Sequence, residues 1–315
     1  MQPFSRRTFL SLTGSLVLLR NTSLALPAEP VLQMGVIADL HHGLATDAMT
    51  RLERFMYAVD KQKPDCLLQL GDFNFGKPDS DECMQLWRQF QGPKFHVLGN
   101  HDMDFYSKAH MMDYWRMPAP YYSFDLEGFH FIILDRNSIK TDDGYIPYEK
   151  ANFYVDAATR GFAEPAQLEW LKADLEATQL PTVVFVHQGL AMDDLEQDER
   201  ISADPIEAIL AQARDAKGQT KVVACFCGHH HLDRYIKKDG IHYVWLNSAS
   251  YYWVGDAYGR MAYYEDALFS FLSFYADGSI TLEGRSTEWT APSPAALQFP
   301  DAKKLNTFIS DRQLF

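Results

Sequence analysis

Five short apolar runs, each ending in a polar cluster, constrain this chain more than any other feature. They are VLQMGVIAD (31–39), CLLQLGD (66–72), KFHVLGNHD (94–102), PTVVFVHQG (181–189) and TKVVACFCGHHH (220–231). Continuous apolar runs of this length read as strands buried on both faces. Between the first three lie two helical segments. Residues 45–62 place Leu52, Phe55, Met56 and Val59 at helical spacing and stop before Pro64, and 79–90 opens with acids, which suits a helix N-terminus. The first hundred residues therefore predict a βαβαβ unit. In open α/β sheets, sites form just beyond the carboxyl ends of strands. Here those ends carry Asp39-Leu40-His41, Gly71-Asp72, Gly99-Asn100-His101-Asp102, His187 and Gly228-His229-His230-His231.

The second half reads differently. Residues 121–135 predict a hairpin turning near Glu127-Gly128. Two later hairpins turn at Lys238-Asp239-Gly240 and Asp277-Gly278. A helix opens at Glu164-Pro165 with Leu168, Leu171 and Leu175 on one face, and another is expected over 204–217. Residues 136–165 and 188–204 are polar and lack clear periodicity, so they are candidate loops around a site. The tail from 288 has little pattern and is expected to wrap the core or mediate oligomerisation. With 315 residues and 47% hydrophobic content, the chain is long enough to bury a full core.

In chain order the strand-end clusters read D-x-H, GD, GNHD, H and GHxH. This series resembles the calcineurin-like metallophosphoesterases from about residue 31 to 275. The resemblance implies a four-layer αββα sandwich of two mixed sheets; the late hairpins disfavour the alternative of one doubly wound sheet. It also implies two metal ions, one held by Asp39, His41 and His231 and the other by Asn100, His187 and His229, with Asp72 between them. Imidazole nitrogen and carboxylate oxygen suit Mn, Fe or Zn. Such a pair clamps a phosphoryl oxygen and activates a hydroxide for in-line displacement. His101 is the resemblance's histidine that binds no metal and stabilises the transition state or protonates the leaving oxygen. Asp72, Asn100 and His101 are thus the expected catalytic positions. Gly71, Gly99 and Gly228 are expected to allow sharp turns that let the ligands converge.

The remaining candidates have plainer readings. His230 and His42 are expected to point away from the ions or to pack behind them. Asp102 either orients a neighbour or satisfies turn backbone. His96, His110, His130 and His242 match no motif and read as structural. Tyr121-Tyr122 and Tyr251-Tyr252-Trp253 read as packing, with a pocket wall as the alternative. Arg136 reads as a surface residue, with a phosphate contact as the alternative.

Departures from the family's branches narrow the function. GDFNFGK has Phe75 where protein serine/threonine phosphatases carry a second acid, and no arginine follows it. His41 is present, and the tyrosine ligand of purple acid phosphatases is missing. Nothing here has the length of the extra C-terminal domain of periplasmic 5′-nucleotidases. What remains resembles the class III phosphodiesterases: a secreted phosphodiesterase acting on a small phosphoester. The alternatives are a phosphomonoesterase or nucleotide pyrophosphatase on the same site, and a metal-bearing scaffold without turnover.

The N-terminal SRRTFLSLTGSLVLLR resembles a twin-arginine export signal, and Ser23-Leu24-Ala25 supplies small residues for cleavage. The expected organisation is a signal over 1–25, the catalytic domain over 31–287 and a tail over 288–315. The apolar run is too short to span a bilayer. The resemblance implies recognition by the twin-arginine export machinery, loading with metal before export, and a periplasmic or extracellular destination. Removing 1–25 takes away three arginines and no acid, moving the net charge from −13 to −16. A surface that acidic repels nucleic-acid polymers and anionic lipid. Of the four cysteines, Cys225 and Cys227 would share one face of a strand, and buried free thiols are expected.

Overall fold

A computed structural model of the chain describes residues 29–76, 80–191 and 197–315. The export signal lies outside the described residues. In chain order the elements begin with β1 (Leu32–Ile37), α1 (Ala48–Gln62), β2 (Cys66–Gln69), α2 (Asp81–Trp87), β3 (Lys94–His96) and α3 (Lys108–Trp115). A hairpin β4 (Tyr122–Leu126) and β5 (Phe129–Ile133) follows, then a second, β6 (Ser138–Thr141) and β7 (Gly144–Pro147). Next come α4 (Pro165–Ala177), β8 (Thr182–Val186), α5 (Gln197–Gln212) and β9 (Val222–Cys227). Three hairpins complete the body: β10 (Arg234–Lys238) with β11 (Ile241–Trp245), β12 (Tyr251–Gly255) with β13 (Arg260–Tyr263), and β14 (Ser270–Phe274) with β15 (Ile280–Glu283). The chain ends with β16 (Arg285–Ser286), β17 (Phe308–Ile309) and β18 (Arg312–Leu314).

One sheet has the order β18-β15-β14-β1-β2-β3 and the other β10-β11-β9-β8-β5-β4. β1, β2 and β3 run parallel, as do β5, β8, β9 and β11. Antiparallel strands flank both parallel blocks, so each sheet is mixed, as expected. The period-two alternation of strands decides the layers. Met34, Val36, Phe131, Ile133, Val183, Phe185 and Phe226 meet in one cluster between the sheets. Their neighbours Ile132, Val184, Val186, Cys225 and Cys227 face the other way, onto Leu171 and Leu175 of α4 and Ile206 and Leu210 of α5. Behind the first sheet, Leu67 and Phe271 pack on Leu52 and Phe55 of α1 and Trp87 of α2. This is the four-layer sandwich. The central seam is aromatic: Phe274 lies edge-on to Phe129 and Phe131 at 5.1 and 5.2 Å between ring centroids. Each such burial contributes roughly 1.5–3 kcal/mol.

Three local expectations change. The helix expected over 204–217 starts at Gln197, because Ala203, Ile206 and Leu210 bury at helical spacing, and it stops before Arg214 pairs with Thr220. The candidate loop 188–204 is therefore partly helix, and 136–165 contains the β6–β7 hairpin. The tail wraps the core: β18 pairs with β15, and Asn306, Ser310 and Arg312 hydrogen-bond Asp233. All four cysteines are buried and free, and the Cys225 and Cys227 sulfurs lie 4.0 Å apart on one face. No helix among the described residues is long and apolar enough to cross a membrane.

His130 clamps the β4–β5 hairpin to α4. Its Nδ1 lies 2.6 Å from Asp125 Oδ1 and its Nε2 2.8 Å from Asp174 Oδ2. Burial opposes a charged ring, but the bonds to Asp174 and Asp125 outweigh it and raise the pKa. A raised histidine pKa adds stability in full below the unfolded value of about 6.5, and that stability fades as pH rises through the folded value. In urea unfolding, His130→Gln is expected to lose about 1–2 kcal/mol relative to wild type at pH 5.5, and the gap is expected to shrink steadily towards pH 9.5. A gap independent of pH would show that the imidazole contributes packing and no charge.

Candidate metal centre

The loops that follow β1, β2, β3, β8 and β9 bring all seven expected ligands to one edge of the sandwich. Asp39, His41 and His231 offer ligand atoms within 4.8 Å of one another, and so do Asp72, His187 and His229. Asn100 lines the same cleft as Asp72 and His229, and its buried Oδ1 has no hydrogen-bond partner among the described residues. Asp72 Oδ2 lies 3.1 Å from His187 Nε2 and 3.8 Å from His41 Nε2, so one carboxylate oxygen reaches toward both groups. The backbone leaves the strands abruptly. Asp39, His41, Asp72, His229 and His231 all have φ between 49° and 69°. Each left-handed non-glycine residue costs about 1 kcal/mol or more, a strain that persists where surrounding contacts fix it.

Hydrogen bonds set the ring tautomers. His187 Nδ1 is 2.8 Å from the carbonyl of Leu70, and His231 Nδ1 is 2.6 Å from that of Tyr251. Each Nδ1 donates, so each Nε2 turns a lone pair to the centre. There His41 and His231 approach Nε2 to Nε2 at 3.0 Å, and His231 Nε2 is 3.3 Å from Asp39 Oδ1. Burial pushes His41 and His229 well below the ordinary imidazole range, which keeps them in the neutral, ligating form. Burial also opposes charge on His187, but the carboxylates of Asp72 and Asp39 overcome it and push its pKa up to about 10. Converging lone pairs and carboxylates, with positive charge favoured among them, fit two divalent cations in N/O coordination.

His101 stands at the mouth. Its Nδ1 is 3.0 Å from Asp104 Oδ2 and its backbone N–H donates to Asp72 Oδ1 at 2.8 Å. Burial lowers its pKa, but Asp72 and Asp104 together raise it above the usual value. Asp102 satisfies turn backbone: its carboxylate accepts from the N–H groups of Gly99, Asp72, Phe73 and Asn74 at 2.7–3.2 Å, tying the β2 and β3 loops together. His230 packs edge-on against His229 and belongs to neither ligand group. Of the three glycines, only Gly71 has a positive φ, 93°. Gly99 and Gly228 are required by proximity: a Cβ there would meet Asp72 Oδ1 at 2.2 Å and Asp39 Oδ2 at 2.6 Å.

The ligands floor a cleft of about 470 Å³ whose walls include Tyr148, Phe153, Tyr154, Arg160, Trp253 and Arg260. Sequence reasoning missed both arginines; the signal available was only that Arg160 falls in the loop expected to flank a site. Trp253 lines the cleft, whereas Tyr251 is buried against His41 and His231 at 5.1 and 5.2 Å. Arg136 corrects the surface expectation. It is buried, because the carbonyls of Gly161, Gln188 and Gly189 and the Ser202 hydroxyl satisfy its guanidinium.

Residues 32–233 match the family of calcineurin-like phosphoesterases. The chain belongs to that family, whose members are metal-dependent phosphoesterases. A comparison with curated proteins finds no significant match. Among solved structures, the fold is similar to a dimetal phosphatase from Danio rerio, at 16% identity and a TM-score of 0.61, over 82% of this chain and 96% of that one. It is also similar to GAP50, the anchor in the inner membrane complex of Plasmodium, at 14% identity and a TM-score of 0.58, over 90% and 88% of the two chains.

The close approach at Gly99 makes a direct prediction. Gly99→Ala is expected to displace Asp72 and to weaken metal retention about 10–100-fold, the scale seen when ligand supports are lost. Metal content by mass spectrometry after dialysis checks this. Wild-type metal content in the variant would show that the β3 loop yields without disturbing Asp72.

Proposed function

We propose that this protein is a dinuclear metal phosphodiesterase acting on small substrates. The observation that carries the proposal is the convergence of two ligand groups on Asp72 beneath an open cleft. Asp39, His41 and His231 would hold one ion and Asn100, His187 and His229 the other, with Asp72 shared between them. When bound, divalent ions such as Mn, Fe or Zn supply a Lewis acid for phosphoryl oxygens and an acidified water nucleophile. The chain's own residues do the rest. Asp104 holds His101 Nδ1, which leaves Nε2 to give its proton to the departing oxygen. Asp102 fixes the two loops that carry Asp72, Asn100 and His101.

The diester preference is supported by the cleft of about 470 Å³, which extends past the ligand candidates to Arg160, Trp253 and Arg260. GDFNFGK supports it further by lacking the acid and arginine of phosphoprotein phosphatases. A scaffold without turnover has no need of His101 or its tether to Asp104, and both are in place. We also propose export: the twin-arginine motif at Arg6-Arg7 is expected to send the folded, metal-loaded protein across the membrane to the periplasm or beyond.

Three measurements test these readings. The Mn²⁺-loaded protein is expected to hydrolyse bis-p-nitrophenyl phosphate faster than p-nitrophenyl phosphate; the reverse order would move the assignment to a monoesterase. His101→Ala is expected to keep its metal and lose turnover by about 10²-fold or more, and unchanged turnover would remove His101 from the chemistry. Replacing Arg6 and Arg7 by lysine is expected to leave the protein in the cytoplasmic fraction, and undiminished export would discard the twin-arginine reading.

A further inference from the structure

The walls of the cleft carry charge of the opposite sign to the protein as a whole. In a chain with 42 acids against 29 lysines and arginines, several arginine guanidiniums find a carboxylate. Arg51, Arg54 and Arg312 do, at 2.7, 2.5 and 2.6 Å. Among the described residues, Arg160 and Arg260 have no carboxylate within ion-pair distance. The Arg160 guanidinium donates to the carbonyl of Phe153, at 3.3 Å. Arg260 lies over the Trp253 ring, 5.4 Å from its centroid, at the tip of the β12–β13 hairpin. Its backbone is left-handed there, with φ 70°, directly after Gly259 at 88°. Both side chains line the same cleft as Asp72, Asn100 and His101. Burial and the carboxylates of Asp104 and Asp72 push the Tyr154 phenol up while Arg260 and Arg160 pull it down, so the two cations and the ligand cluster act on one space.

Aromatic rings complete that space. Trp253 stacks near-parallel to His101, 6.2 Å between centroids and 25° between planes. Phe153 stands edge-on to His101 at 5.8 Å, and Tyr154 is tilted at 6.5 Å. Tyr154 is largely exposed, an orientation that core packing does not explain. Flat faces accept a planar ring, and guanidiniums without a carboxylate accept a phosphate or carboxylate.

We propose that Arg160 and Arg260, together with Trp253 and Tyr154, form a specificity subsite for a substrate that carries a planar ring and a second anionic group beside the reacting phosphate. The inference rests on the phosphodiesterase reading for its reaction and adds the substrate class to it. Simple dialkyl phosphates lack both features. A net charge of −13 disfavours long polyanions, whereas a compact anion would meet mainly the local positive field of the cleft.

A matched pair of chromogenic probes tests the subsite: thymidine 5′-(p-nitrophenyl phosphate) with and without a 3′-phosphate. Ring and scissile bond are the same, and only the second anionic group differs. The wild-type, Mn²⁺-loaded protein is expected to show a KM at least tenfold lower for the 3′-phosphorylated probe. In Arg160→Ala/Arg260→Ala that KM ratio is expected to fall to about one, with Arg260→Lys intermediate, and Trp253→Leu is expected to raise KM for both probes. Equilibrium dialysis of thymidine 3′,5′-bisphosphate against thymidine 5′-phosphate supplies a readout that needs no turnover, with the same tenfold preference and the same loss in the double variant. Equal binding of the two nucleotides by wild type, or a preference that survives the double variant, would overturn the subsite. Cleavage of neither probe alongside the expected binding preference would sink the diesterase reading and leave the subsite standing.

Discussion

The constraint on which the site depends is electrostatic crowding. Two buried carboxylates and the lone pairs of four imidazoles are brought within a few ångströms of one another, where like partial charges repel strongly in a low-dielectric setting. Nothing in the side chains themselves favours that meeting. It is imposed by the backbone, which turns left-handed at Asp39, His41, Asp72, His229 and His231 just past the strand ends. The cost of those turns, and of the crowding they produce, has to be met by the fold around them. The double sandwich does so with an apolar seam between the sheets and helices on both outer faces. A cation placed at the crowded point converts the repulsion into attraction, which is why so strained an arrangement makes sense as a metal centre.

Between the seam and the site stands a small set of polar fasteners. Asp102 gathers four N–H groups from two loops, and Ser248 and Ser250 donate to the carbonyls of Asp39 and Leu40 at 2.9 and 2.8 Å. Arg136 does the same for the far wall by binding three carbonyls and Ser202. Each fastener satisfies backbone groups that leave the sheets and would otherwise be buried without partners, at about 1–3 kcal/mol apiece. The ligands are therefore held from behind. Their geometry belongs to the loops as units, so replacement of a glycine or of Asp102 reaches the centre as directly as replacement of a ligand.

Local patterns made the strand ends legible in the sequence. An apolar run followed by Gly-Asp or Gly-Asn-His is a feature of a few consecutive residues, and the order of five such features named Asp39, His41, Asp72, Asn100, His187, His229 and His231 as candidates, of which the structure draws Asp39, His41 and His231 into one group and Asp72, His187 and His229 into another. The layers were implied by the family resemblance; the hairpins after residue 230 only disfavoured a single doubly wound sheet, and they extend both sheets, β10–β11 beside β9 and β14–β15 beside β1. The supports and walls were not legible. Asp102 shows one acid in a loop, and nothing nearby says that its four partners come from both sides of a thirty-residue gap. Arg136 reads as an ordinary polar residue after a strand, because the carbonyls that bury it lie 25 to 53 positions away. The start of α5 was hidden by a polar N-terminal turn that carries no apolar stripe.

The distribution of charge then links fold to selectivity. A net charge of −13 would keep phosphoesters away from most of this surface. Arg160 and Arg260 at the rim, with any metal pair the two ligand groups would hold, would open one positive channel in that negative envelope, and low-dielectric aromatic walls would focus it. A ligand gains from the channel only if its charges are close enough together to fit inside it. A polymer would have to carry most of its charges past a protein of net charge −13. The proposed selection by compactness would follow from where the two arginines stand, on walls contributed by the β12–β13 hairpin and the 148–161 segment and not by the loops that carry the candidate metal ligands. On the proposed reading, the same ligand floor with different wall residues would pass a different anion, the sandwich edge setting the reaction and the two segments laid over it the substrate.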